Sequence, residues 1–358
     1  MKVLYLLLLL SSTMMAQNIQ LYVGTYTNTN SKGIYYYDFN LNTGDLTNKK
    51  LATEVVNPSY LAFSSNKKFL FTVSEVADFD TNKSGYVNAY AVAKNGSLQF
   101  INKVSTNGAN PCHIEINNTN NLAAISNYTG GNISIHKIEK NGKIEKAYQI
   151  INHNTASEKA HPHFSKFLKN NLLISDLGRN FLANYKVYSQ NKERYLLDKT
   201  YAIKNNAGPR HFAISKNDSF IYVINELNST ISVLKKEANT YNIIQNISTL
   251  GVNYSGKNSG AEICLSKNGH FLYSSNRGEN SIAVFKIAKN NGMLQKIQSI
   301  STHGNWPRNF TIAPNGNFLL VANKLSNNIT VFSLNQKTGK LNFLRSVESN
   351  SPTCLVFK

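Results

Sequence analysis

The chain reads as an all-β protein: a seven-bladed β-propeller of four-stranded blades, its ring closed by N- and C-terminal strands in one blade. Three observations predict this. Short Val/Ile/Tyr/Phe runs alternate with Asn/Gly clusters, and no long stretch carries a helical period. One segment recurs at intervals of about 45–53 residues. The last copy breaks off after its first strand, while the chain begins with strand-like runs that lack an anchor of their own.

Taken in order, residues 1–16 (MKVLYLLLLLSSTMMA) have the pattern of a secretory signal. Lys2 forms the positive end, Val3 to Leu10 the apolar core, and Ala16 the last residue before cleavage. The apolar run is too short for a bilayer core of about 30 Å, so no membrane span is expected. Residues 17–358 then form the propeller domain. The recurring unit is a turn, an apolar strand, an Asn/Gly turn and a second apolar strand. Its copies are NPSYLAFSSNKKFLFTVSE, NPCHIEINNTNNLAAISN, HPHFSKFLKNNLLISD, GPRHFAISKNDSFIYVINE, SGAEICLSKNGHFLYSSNR and WPRNFTIAPNGNFLLVANK, with SPTCLVF as the truncated last. They are anchored at Pro58, Pro111, Pro162, Pro209, Gly260, Pro307 and Pro352. Each interval also holds a third strand, such as STISVLK, and a fourth. Four strands in such a repeat are the sequence signature of a propeller. LYVGTYT and GIYYYDF, near the start, can supply strands that the last copy lacks.

With 41% hydrophobic and 11% aromatic residues, the chain can fill a large core and is too apolar for disorder. Cys112, Cys264 and Cys354 lie far apart in apolar runs and read as buried small hydrophobes rather than a disulfide or metal set. The net charge of +19 favours an anionic partner. A leader for export argues against nucleic acid, which leaves a small anionic molecule or an acidic polymer.

A repeat supplies its own control. Positions alike in every copy serve the blade, and charges that vary among copies are candidates for function. The start of each first strand and the end of each second should share one face of the ring. Just after the anchors come Ser59, Cys112, His163, Arg210, Ala261, Arg308 and Thr353. One residue further on come Tyr60, His113, Phe164, His211, Glu262, Asn309 and Cys354. The second strands end on Glu75, Asn127, Asp176, Asn225-Glu226, Asn276-Arg277 and Asn323-Lys324. His163, Arg210 and Arg308 therefore share one rim, where other copies manage with Ser, Cys, Ala or Thr. Cations crowded at a narrow mouth need carboxylates among them, and Glu226, Glu75 and Asp176 can provide these. The remaining positive charge suits a carboxylate or phosphate, which arginine grips as a fork. Arg210 with Glu226 equally fits an ion pair bracing two strands, and His113 and His211 equally fit hydrogen bonding between blades. His153 and His161 sit in a polar loop.

No Gly-x-Ser-x-Gly elbow, Gly-rich phosphate loop, His-Glu-x-x-His, zinc-spaced Cys/His cluster or EF-hand loop is present. A catalytic site would be metal-free and cofactor-free acid–base chemistry fixed by arginine.

Several motifs resemble the bacterial 6-phosphogluconolactonase family with a propeller fold. These are Gly208-Pro209-Arg210-His211 with Val223-Ile224-Asn225-Glu226-Leu227-Asn228-Ser229, Asn110-Pro111-Cys112-His113, and His161-Pro162-His163 with Asp176-Leu177-Gly178. Ser275-Asn276-Arg277-Gly278, Pro307-Arg308 and Leu320-Val321-Ala322-Asn323 are similar too. The likeness runs from Leu21 to Phe357. It implies hydrolysis of 6-phosphogluconolactone, or cycloisomerisation of carboxymuconate as in a fungal branch. That branch's proposed His, Glu and two Arg fall on His163, Glu226, Arg210 and Arg277. The expectation is a metal-independent lactonase with Glu226 as base and His163 as acid. Arg210 and Arg277 would hold the oxyanion, and Arg308, Lys324, His113, His211 and Asp176 would bind substrate. An exported, monomeric enzyme would meet an unphosphorylated aldonolactone more readily than a phosphorylated one. A non-catalytic propeller binding an acidic ligand or partner is the reading from another class.

Overall fold

The computed structural model describes residues 18–81, 83–189 and 193–358. The leader expected over residues 1–16 lies outside them. Every regular element among the described residues is a strand, and the 28 strands form seven sheets of four. The first strands are β4 (Pro58–Phe63), β8 (Pro111–Ile116), β12 (Pro162–Leu168), β16 (Pro209–Ile214), β20 (Ser259–Leu265), β24 (Pro307–Ile312) and β28 (Pro352–Phe357). Each touches the next around a closed circle, with β28 against β4.

The chain ends meet as expected. β28 pairs antiparallel with β1 (Asn18–Thr25), Leu21 opposite Phe357 and Val23 opposite Leu355. β2 (Gly33–Asn40) and β3 (Leu46–Glu54) complete that blade. Sharing one sheet between the two ends removes the open edges that a linear array of blades would expose.

The second strands are buried on both faces, which explains their almost unbroken apolar runs. Alternate residues point to opposite neighbours. In β9 (Leu122–Asn127), Ala124 packs toward β13 (Asn171–Asp176), while Ala123 and Ile125 pack toward β5 (Phe69–Ser74). The result is seven apolar clusters, one at each blade interface, instead of a central core. The three cysteines are free, and Cys112 and Cys354 are buried.

Two repeated backbone features shape the rim. Each first strand opens with a β-bulge. Pairing skips from Pro58 to Tyr60, Pro111 to His113, Pro162 to Phe164, Pro209 to His211, Gly260 to Ile263, Pro307 to Asn309, and Pro352 to Cys354. The residue left unpaired is re-aimed away from the ladder. Those residues include Ser59, Cys112, His163, Arg210, Ala261, Arg308 and Thr353. The second feature is a backbone latch. The amides of Tyr26, Glu75, Tyr128, Leu177, Glu226 and Lys324 donate to the carbonyls of Ser351, Asn57, Asn110, His161, Gly208 and Trp306, each just before an anchor proline. Arg277 takes the same register opposite Ser259.

Deleting Pro352–Lys358 should unseal the ring. It strips buried Leu355, Cys354 and Phe357 from two interfaces. At roughly 1.5–3 kcal/mol per large apolar side chain, the loss is a large share of the ~5–15 kcal/mol that holds a protein folded. The truncated chain is expected to lose its cooperative thermal transition or precipitate, as scanning calorimetry would show.

Candidate active site at the channel mouth

The bulge places Arg210 on the channel wall, and the latch places Glu226 one residue past β17 (Phe220–Asn225). In the next blade, Arg277 ends β21 (Phe271–Arg277). The three meet. Glu226 Oε2 lies 3.0 Å from Arg210 Nε and 2.8 Å from Arg277 Nη2. Both arginines are almost wholly buried, while the Glu226 side chain keeps 18% of its surface exposed. Backbone carbonyls also hold the guanidiniums: Arg210 Nη1 donates to Ala261 O at 2.7 Å, and Arg277 Nη2, the nitrogen that faces Glu226, to Gly260 O at 2.9 Å. The Nε–H of each arginine nevertheless has no well-aimed acceptor, and neither does His163 Nδ1.

A layer beneath fixes Arg210. His211 Nδ1 donates to Glu262 Oε1 at 2.9 Å, and Asn309 Nδ2 donates to Glu262 Oε2 at 2.5 Å. That tautomer leaves His211 Nε2 to accept from Arg210 Nη1 at 3.3 Å. Burial keeps His211 neutral despite the adjacent carboxylate. Burial would raise the Glu262 carboxyl, but His211 and Arg210 outweigh it and keep it ionised.

On the other side of the mouth, Tyr26 Oη donates to Glu75 Oε2 at 2.7 Å, and Arg308 Nη2 lies 3.5 Å from the same oxygen. Arg308 and Lys324 both sit over the Tyr26 ring. Burial lowers the Lys324 ammonium, and Arg308 lowers it further. Four cationic side chains thus face two carboxylates, so the mouth is positive.

Protonation preferences hold both Glu226 and His163 in their deprotonated forms. Burial alone would raise the Glu226 carboxyl, but Arg277 and Arg210 outweigh burial and hold it below the usual range, as an anion reluctant to take a proton. Burial, then Arg210 and His211, push His163 well below the ordinary 6.5, so its imidazole is neutral near pH 7. It lies edge-on to the rings of His211 and Tyr128.

The mouth gathers Glu226, His163, Arg210, Arg277, Arg308 and Lys324. Three expected substrate contacts lie behind it. His113 is buried between the rings of Tyr60 and Phe164, and its Nδ1 accepts from the Ser165 amide at 3.3 Å. His211 supports Arg210. Asp176 has no exposed surface, and both its oxygens are taken: Oδ2 by His153 Nδ1 at 2.7 Å, Oδ1 by the amides of His161 and Arg179. The reason is register. Asp176 is equivalent to Thr25, Ser74, Asn127, Asn225, Asn276 and Asn323, all fully buried, and the rim residue comes one later. Counting that way gives Tyr26, Glu75, Tyr128, Leu177, Glu226, Arg277 and Lys324. Tyr128 is legible in the sequence by this rule, and Tyr26 joins the set once β28 and β1 are paired.

Size alone does not mark the site. A surface hollow of about 950 Å³ opens at the opposite ends of β12 and β13, and its Lys166 and Lys186 pair with Glu115 and Asp198.

The fold is a seven-bladed propeller whose mouth carries carboxylates and a histidine among buried arginines. Comparison with known proteins agrees: the family described as "Lactonase, 7-bladed beta-propeller" matches residues 20–357. The chain is 32% identical to a 6-phosphogluconolactonase of Bacillus subtilis, covering 82% of this chain and 84% of that one. It is 35% identical to a 6-phosphogluconolactonase of Formosa agariphila, covering 82% and 86%. A solved periplasmic gluconolactonase of Pseudomonas aeruginosa superposes with a TM-score of 0.88 at 27% identity, covering 95% and 99%. The chain belongs to the seven-bladed β-propeller lactonase family. It is a carboxylic ester hydrolase acting on a small-molecule lactone. Among the described residues no helix is long and apolar enough to cross a membrane.

Asp176→Ala should remove the acceptor of three donors, one buried and two partly buried. At about 1–3 kcal/mol for each donor left unsatisfied, it is expected to lower stability in urea by about 3 kcal/mol or more. The kcat of the folded fraction should stay within about twofold, since the residue lies behind the mouth.

Proposed function

We propose that the protein hydrolyses a sugar lactone, 6-phosphogluconolactone or a related aldonolactone, by metal-independent acid–base chemistry at the channel mouth. One observation carries this reading. A single carboxylate bridges two buried guanidiniums, and beside it His163 Nδ1 and the Arg277 Nε–H lack hydrogen-bond partners. The lactone carbonyl sits against Arg210 and Arg277, whose charge stabilises the oxyanion as it forms. Neutral His163 takes the proton of the attacking water. The tetrahedral intermediate collapses with cleavage of the ring C–O bond, and protonated His163 returns its proton to the leaving alkoxide. The product is the open hydroxy acid. Glu226 stays ionised. It neutralises and orients the two arginines, which would otherwise repel each other. Arg308 and Lys324 attract the polar or anionic end of the substrate.

The 6-phosphogluconolactonase relatives favour a phosphorylated substrate. The export-type leader and the likeness to a periplasmic gluconolactonase favour a plain one. We place the enzyme outside the cytoplasm, working as a monomer on plain aldonolactones. A pH-stat comparison of δ-gluconolactone with its 6-phosphate decides between the substrates, and N-terminal sequencing of exported protein tests cleavage after Ala16.

Glu226→Gln and Arg210→Ala should each lower kcat/KM by about 100- to 1000-fold after subtraction of spontaneous hydrolysis. Wild-type values in both would remove the site. A base whose pKa is depressed works in its neutral form. The pH profile of kcat/KM should therefore hold through neutrality and fall only on acidification below the ordinary histidine value of 6.5. Exhaustive dialysis against a chelator should leave the rate within about twofold, and a loss restored by a divalent cation would show that a metal takes part.

A further inference from the structure

The position before most of the anchors has a backbone requirement. Five such residues have left-handed φ: Asn57 at 42°, Asn110 at 50°, Gly208 at 66°, Trp306 at 66° and Ser351 at 43°. Gly and Asn tolerate this conformation, and a bulky side chain does not. Trp306 is the only tryptophan in the chain, and it stands where the blade would be better served by Asn or Gly. Its backbone role needs no indole. The amide donates to Asn280 Oδ1 at 2.9 Å, as Gly208 and Ser351 donate to Asn180 and Asn327. A strained residue with a side chain the scaffold does not need points to function.

The indole lies under the Arg277 guanidinium, 5.4 Å away. It forms one wall of a cleft of about 580 Å³ that includes Arg277 and runs outward from the mouth. Leu227 and Leu250 provide apolar edges, and Asn228 and Ser259 provide an amide and a hydroxyl. The wall is preformed. Asn258 donates to Ser229 Oγ and accepts from the Glu279 amide. The Lys257 carbonyl lies where a Cβ on Gly278 would be, and Gly278 has φ 133°. No carboxylate lines the cleft, and one lactone ring at Glu226 would leave it empty.

We propose that this cleft is a sugar subsite, and that the substrate is an aldonolactone carrying a glycosyl unit, whose pyranose ring stacks on Trp306. A pyranose matches this lining because its C–H faces are apolar and its rim carries hydroxyls. A wholly apolar substituent would leave Asn228 and Ser259 dry. The proposal rests on the lactonase reading for turnover, but not for binding.

The test uses the mature protein. Maltobiono-δ-lactone should be hydrolysed with a higher kcat/KM than δ-gluconolactone. Trp306→Asn, which restores the residue used in two other blades, should lower that ratio by about tenfold or more. Leu227→Ala, at an exposed position, should lower it as well. An unchanged ratio in both variants overturns the subsite. Binding is read separately from the fluorescence of the sole tryptophan. Maltobionate should saturate a change at about a tenth or less of the gluconate concentration required. Saturation without turnover of any lactone sinks the lactonase reading and keeps the subsite. Turnover with equal or absent responses to the two acids does the reverse.

Discussion

The geometry of the mouth depends on the latch between the residue that follows each second strand and the carbonyl before each first strand. It is made of backbone atoms, so it is indifferent to side chains. The same bond holds Tyr26, Glu75, Tyr128, Leu177, Glu226 and Lys324 at equivalent stations around one circle. The bulge two residues further on then turns the unpaired side chain out of the ladder. Together they give the ring two concentric sets of side chains whose identity the fold leaves free. Chemistry can vary there without disturbing the interfaces, because apolar packing is carried by the second and third strands.

That freedom is limited by electrostatics. Arg210 and Arg277 are buried cations, and burial lowers the Arg277 guanidinium to about 10. They remain charged because Glu226 lies between them and backbone carbonyls accept from both. The arrangement in turn makes Glu226 a poor base and His163 a neutral one. The same cluster of charges therefore holds both groups in their deprotonated forms. Glu262 and His211 extend the arrangement downward as an ionised carboxylate and a neutral imidazole, so no further net positive charge is buried.

The likeness of the copies was enough to pick out His163, Arg210, Arg277, Glu226, Arg308 and Lys324, since a charge that other blades do without is visible in one line of sequence. It did not separate Asp176 from the rim. An aspartate one residue before the latch looks like a rim carboxylate until the register is known, and a one-residue shift moves a side chain from mouth to interior. Tyr26 escaped for a related reason. It belongs to the blade shared by the two chain ends, and its equivalence to Glu75 appears only when β28 and β1 are paired. Trp306 was seen only as the start of a repeat, because its strain is a property of φ and not of composition.

The amino-acid sequence by itself determined the number of blades, the closure of the ring by its two ends and the residue types available at one face. Periodicity and repetition are properties of the chain alone. The tertiary structure decided which of those side chains share a contact and which of them carry protons. It also decided which lie behind the wall, and that a single indole borders the way in. Those outcomes depend on bulges, burial and through-space charge, which bring together residues such as Arg210 and Arg277 that are far apart along the chain.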